Sequence, residues 1–258
     1  MILSDFHCHS SFCDGKDTPE DMVKSAISKG LSYFGICIHS YTPFEDGYCT
    51  KPSQYKNFID EMARLKEKYS GKINLLCGIE QDIYSENYGE KFDYVIGSVH
   101  FLKISGEYFA LDLSKDSFIK LCKDKFGGNY NLLAKEYFDL VCQVKDKTNC
   151  NIIGHFDLIT KYNEGYNLFR EDDEQYLEYG NKCIDILSKN GAVFEINTGA
   201  ISRGYRKNPY PSDAFTQRII SNGAKLILSS DAHAKENIAF GYDSIDKKAL
   251  GDNLIYKF

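Results

Sequence analysis

The stretch Ile2-Leu3-Ser4-Asp5-Phe6-His7-Cys8-His9, followed by Thr18-Pro19-Glu20-Asp21-Met22-Val23, contains the unit from which the whole chain is built. Its first part is a short apolar run of strand length that ends in two histidines. Its second part is a helix start, with Thr18 as N-cap, Pro19 at the first helical position and acids in the first turn. Met22, Val23, Ala26 and Ile27 then recur at helical spacing until Gly30 ends the segment.

The same alternation continues to the end of the sequence. Apolar runs at 2–7, 33–38, 73–79, 92–99, 151–154, 192–196 and 225–228 read as strands. Helical patterns at 52–69, 131–147, 172–189 and 211–221 lie between them, and Gly127-Gly128-Asn129 reads as a turn between two helices. Strand–helix alternation implies parallel strands joined by crossovers. Seven runs suit a closed or nearly closed α/β barrel. No G-x-G-x-x-G follows the first run and no G-x-x-x-x-G-K-[ST] occurs, so a dinucleotide or P-loop fold has no support. With 258 residues and no linker-like tract, the chain is expected to form a single domain, 1–258.

Composition narrows the function. Lys and Arg number 31 against 37 Asp and Glu, a net charge of −6, which disfavours a broad nucleic-acid or anionic-membrane surface. No apolar run is long enough to span a membrane, and the N-terminus lacks the features of a signal peptide. Nine scattered cysteines without a C-x-x-C pair read as reduced thiols of a cytoplasmic protein, with Cys8, Cys37 and Cys77 as small buried hydrophobes.

All six histidines, His7, His9, His39, His100, His155 and His233, stand at or just after the end of an apolar run. In a parallel barrel those ends share one face, where active sites are built. The strand period of two puts His7 and His9 on one side. Asp14, Glu80 and Asp231 join them at the same ends. Imidazoles with carboxylates suit Zn, Mn or Fe, and the number of donors implies two or three divalent metal ions. Asp157 reads as an acceptor for an imidazole N–H, and Glu195 and Asn197 as supports for the ligands. Such a cluster serves hydrolysis, of phosphate esters above all. Lys161, Arg203 and Arg206 are the cations expected to bind a phosphate there. Glu45 and Asp46 are candidates to meet a substrate ammonium.

Taken in order, Asp5-Phe6-His7-Cys8-His9-Ser10, Gly35-Ile36-Cys37-Ile38-His39, Gly78-Ile79-Glu80, Gly97-Ser98-Val99-His100, Gly154-His155-Phe156-Asp157, Glu195-Ile196-Asn197-Thr198 and Ser229-Ser230-Asp231-Ala232-His233 resemble the PHP (polymerase and histidinol phosphatase) family. The resemblance runs from about residue 5 to 241. It implies a distorted (β/α)7 TIM-like barrel with a trinuclear metal site. By that pattern His7, His9, Glu80 and Asp231 hold one metal, Glu80, His100 and His155 a second, and Asp14, His39 and His233 a third. A metal-bridging hydroxide would be the nucleophile, with Asp231 and His233 among the catalytic residues. The implied substrate is a small phosphate ester, L-histidinol phosphate of histidine biosynthesis in the subgroup of this chain's size. The chain departs from the family at Ile38, where many members carry Asp. Rival readings are a PHP phosphoesterase for a nucleotide or phosphotyrosine, a C–N hydrolase on a similar barrel, and a non-catalytic metal-binding domain.

Overall fold

The structure, a computed structural model, describes residues 4–257. The first expected run begins at Ile2, and residues 2 and 3 lie outside the described residues. Nine strands are formed: β1 (Ser4–Asp5), β2 (Tyr33–His39), β3 (Asn74–Asp82), β4 (Tyr94–Ser98), β5 (Phe101–Ile104), β6 (Glu107–Ala110), β7 (Ile152–Ile153), β8 (Val193–Asn197) and β9 (Lys225–Ser229). Seven of them pair in parallel in the order β1-β2-β3-β4-β7-β8-β9, and these are the seven expected runs. The sheet curls until its edges meet. His9 N–H donates to the carbonyl of Ala232 at 2.8 Å, and Ala232 N–H to that of His7 at 3.3 Å. The result is a nearly closed, distorted TIM-like barrel.

The helices are α1 (Pro19–Ser28), α2 (Pro52–Lys68), α3 (Lys115–Phe126), α4 (Tyr130–Thr148), α5 (Asn163–Tyr166), α6 (Glu174–Lys189), α7 (Gly199–Ser202), α8 (Asp213–Ser221) and α9 (Lys247–Leu250). Local chemistry sets their starts. Thr18 Oγ1 accepts from Asp21 N–H at 3.2 Å, Ser114 and Ser117 form a reciprocal capping box, and Asp173 caps α6. Met22 and Val23 of α1, Phe58 and Met62 of α2, and Ile36 and Ile38 of β2 meet in the large core between barrel and helices. Ile38 therefore carries a packing side chain, fully buried among apolar neighbours.

The antiparallel hairpin β5–β6 was not anticipated. Its two-residue turn, Ser105-Gly106, has positive φ at both positions (52° and 89°), the geometry that favours tight hairpins. Leu111 N–H donates to the carbonyl of His100 at 2.9 Å, so the excursion returns to the strand end that it left.

A second, smaller core of Phe6, Cys37, Tyr94, Ile96, Ile152 and Ile227 fills the barrel interior. Tyr94 Oη donates to the carbonyl of Phe6, joining β4 to the segment after β1. Those strands are not neighbours in the sheet, so the ring must cross the inside. Gly35 and Gly78 make room for it, because a Cβ at either would overlap the Tyr94 ring. Gly78→Ala is therefore expected to overpack the interior and destabilise the fold by about 1–3 kcal/mol. A urea midpoint equal to that of the wild type would show that the ring is not confined there.

Candidate active site

Each parallel strand delivers a side chain to the C-terminal face of the barrel. β1 leads to His7 and His9, β2 ends at His39, and β3 carries Glu80. His100 and His155 follow β4 and β7, and Asp231 and His233 follow β9. Asp14 comes from the first loop, closed by Gly15 N–H donating to the carbonyl of Ser10 at 3.1 Å. Asp231 has φ of 48°, a left-handed conformation that Asp tolerates better than most residues, here at the mouth of the site.

Glu80 is the hub. Its Oε2 lies 3.2 Å from His7 Nε2, 3.4 Å from His9 Nε2 and 3.0 Å from His39 Nδ1. Its Oε1 lies 2.9 Å from His155 Nε2 and 3.2 Å from His100 Nε2, and accepts from Ser98 Oγ at 2.7 Å. Burial alone would raise the Glu80 carboxyl, but His7, His39 and His100 hold it well below the usual carboxylate range. His233 Nε2 and His39 Nε2 lie 3.2 Å and 3.4 Å from the two oxygens of Asp14. Asp231 Oδ1 sits 3.9 Å from both His7 Nε2 and His9 Nε2.

This donor set fits metal ions. His9, Asp14, His39 and His233 bring ligand atoms within 4.8 Å of one another, as do Glu80, His100 and His155, and His7, His9 and Cys37. His9 is the imidazole most crowded by other rings. His9 stacks on His39 with ring centroids 4.1 Å apart and on His233 at 4.5 Å. Burial, with His39 and His233 alongside, pushes His9 down to about 3, so its ring is neutral and able to ligate. Burial pushes the Cys37 thiol up, well out of the range where it ionises, in line with the packing role read from sequence.

Carboxylates behind the ring orient it. Glu195 Oε2 lies 2.9 Å from His7 Nδ1, and Glu195 Oε1 accepts from His155 N–H at 2.6 Å and Asn197 Nδ2 at 2.7 Å. Asp82 Oδ2 takes the same place for His100, 3.2 Å from its Nδ1. Sequence reading found Glu195 and missed Asp82, although Asp82 lies one pleat beyond Glu80 on the same strand face. Asp157 corrects an expectation. It meets no imidazole; its Oδ2 accepts from Ser212 N–H at 2.9 Å and its carboxyl, pushed up to about 6 by burial, faces Arg206.

The site opens into a cavity of about 510 Å³. Lys161 and Arg203 line it. Arg203 Nη2 donates to Asp231 Oδ2 at 2.8 Å and its Nη1 to the Asp231 carbonyl at 3.1 Å. Lys161 Nζ donates to the carbonyl and Oδ2 of Asp112 at 3.0 and 3.1 Å. Arg206 is not brought to this cavity. Its buried guanidinium donates to the Thr160 carbonyl at 2.8 Å and faces Glu171 at 3.4 Å. Gly204, with φ of 74°, lies between the two arginines. Of the two acids considered for a substrate ammonium, Glu45 lines the cavity, whereas Asp46 lies 3.9 Å from Lys51. Asp112 and the aromatic Tyr48 and Tyr205 also line it.

A nearly closed parallel barrel with an imidazole–carboxylate cluster at its C-terminal face is the architecture of a metal-dependent hydrolase. The PHP domain model matches residues 5–199, and the chain belongs to that family. It is 28% identical to the "Probable histidinol-phosphatase" of Schizosaccharomyces pombe, an alignment that spans 92% of this chain and 82% of the relative. Among solved structures it is similar to a candidate histidinol phosphatase from Listeria monocytogenes, with TM-score 0.81, 20% identity and coverage of 93% and 99%. It is also similar to histidinol phosphate phosphatase from Lactococcus lactis, solved with zinc, L-histidinol and phosphate, with TM-score 0.71, 20% identity and coverage of 98% and 95%. Among the described residues no helix is long and apolar enough to cross a membrane.

Proposed function

We propose that the protein hydrolyses L-histidinol phosphate to L-histidinol and phosphate, and that the whole chain works as one phosphoesterase unit. The observation that carries the chemistry is Glu80, a single buried carboxylate facing five imidazoles in a cavity that also holds Lys161 and Arg203. The substrate is supported by the curated relative and by the neighbour solved with histidinol and phosphate.

On this reading three ions would be held by His7, His9, Glu80 and Asp231; by Glu80, His100 and His155; and by Asp14, His39 and His233. Bound ions supply a hydroxide nucleophile at neutral pH and neutralise charge on the phosphoryl oxygens. The protein's own groups do the rest. Glu195 and Asp82 fix the orientation of His7 and His100. Arg203 and Lys161 take up phosphate charge, and Arg203 simultaneously holds the Asp231 carboxylate in place. Asp231 and His233 are thus the ligands that also touch a phosphate cation, Arg203. Glu45, at the cavity wall, adds negative charge for the cationic end of the substrate.

The test is phosphate release from L-histidinol phosphate beside p-nitrophenyl phosphate and a nucleoside monophosphate, with metal content measured on the same sample. A kcat/KM of about 10⁴ M⁻¹s⁻¹ or more for the first substrate alone is expected. Weak, equal turnover of all three by metal-loaded protein would retire histidinol phosphate as the substrate and leave a generic phosphoesterase.

A further inference from the structure

Lys161 is a phosphate-binding cation that already has an anion. Its ammonium spends two of its three N–H donors on Asp112, one on the carbonyl at 3.0 Å and one on Oδ2 at 3.1 Å. Asp112 is not a stray surface acid. The β5–β6 hairpin returns to the carbonyl of His100 through Leu111 and delivers Asp112 to the cavity wall. There Tyr162 Oη donates to its carbonyl at 2.6 Å. The Lys161 ammonium also lies over the Tyr205 ring, 4.9 Å from its centroid.

A phosphate that reaches for Lys161 must therefore approach the Asp112 carboxylate as well. Like charges at that range, in a site partly shielded from water, repel strongly. A simple phosphate gains Lys161 and loses to Asp112. A phosphate ester with a cation close to the ester oxygen escapes the conflict, because its own cation pairs with the carboxylate that Lys161 shares. We propose that Asp112 is a specificity-determining residue, which makes the Lys161 subsite favourable to phosphomonoesters that carry a neighbouring cation and unfavourable to phosphate alone. After the amino alcohol departs, the remaining phosphate faces the carboxylate unpaired, so the same residue weakens product binding. The inference rests on the phosphoesterase reading and deepens it.

The experiment compares wild-type and Asp112→Asn protein, both metal-loaded. Binding of inorganic phosphate is measured by calorimetry, and kcat/KM by phosphate release from L-histidinol phosphate and p-nitrophenyl phosphate. The amide is isosteric, and Asp112→Ser serves as a second variant. Removal of the charge is expected to tighten inorganic phosphate about tenfold. It should also reduce the preference for the cationic ester over p-nitrophenyl phosphate by about tenfold. Unchanged or weaker phosphate binding in both variants would overturn the proposal, since Asp112 would then only hold Lys161 in place. Loss of metal from both variants would overturn it too, by showing a structural role. If metal-loaded wild-type protein releases phosphate from neither ester, the phosphoesterase reading itself fails, a result that differs from every pattern in which only Asp112 is at fault.

Discussion

Glu80→Gln is expected to cost at least about 10³-fold in kcat/KM and to lower the metal content of the purified protein. The reason is geometric. Oε2 faces His7, His9 and His39, and Oε1 faces His100 and His155, so among the described residues no other side chain touches both halves of the cluster in this way. An amide keeps the shape but presents one N–H₂ toward rings that need an acceptor or a shared cation. It also carries no charge to balance divalent ions. Removal of one partner from a buried charged network leaves the others uncompensated, which is where large effects arise. The measurement is metal analysis beside steady-state kinetics. A variant with wild-type metal content and wild-type turnover would remove Glu80 from the centre of the site and with it the metal assignment built around it.

Arg203→Ala is the second large effect, about 10²–10³-fold in kcat/KM. Its guanidinium is tied to the Oδ2 and carbonyl oxygens of Asp231 yet lines the cavity, with a third of its side chain exposed. Two losses then combine: a donor to the phosphate and the clamp on Asp231. Metal content separates them. If Arg203 meets the phosphate, the variant keeps its ions and loses turnover, and Arg203→Lys recovers little because an ammonium cannot offer the planar fork. If turnover falls only in proportion to lost metal, Arg203 acts through Asp231 alone and has no direct part in phosphate binding.

The barrel and the ring of ligands were legible because both follow from local pattern. Seven apolar runs, each ended by a histidine or carboxylate, can converge only where parallel strands present their C-terminal ends, and the period of two put His7 beside His9. Asp82 obeys the same rule relative to Glu80 and could have been read from it. Asp112 could not. Its meeting with Lys161 depends on a ten-residue hairpin that leaves and rejoins the end of β4, and no periodicity in the sequence encodes that return. The two short strands around Ser105-Gly106 lie beyond the apolar run at 92–99 and were not read as strands. Arg203 and Arg206 were both read as phosphate-binding cations because both sit in one glycine-containing loop. Their partners separate them: Arg203 is held by Asp231 at the cavity, and Arg206 by the half-buried Glu171 and the Thr160 carbonyl. Asp157 was misread for a similar reason. The acceptor for His7 comes from the next strand, as Glu195, and not from the loop that follows His155.

The Tyr94 ring lodged against Gly35 and Gly78 has a kinetic meaning as well as a packing one. It stoppers the bore of the barrel beneath the histidines, with Ile96, Ile152 and Ile227 around it. Among the described residues, this packing fills the barrel interior below the site. Under the proposed reaction, ester, alcohol and phosphate would share the mouth of the cavity at the strand ends, and a slow departure by either product would block the next arrival. In such a dead-end vessel, turnover under saturating substrate depends on how readily the last occupant lets go.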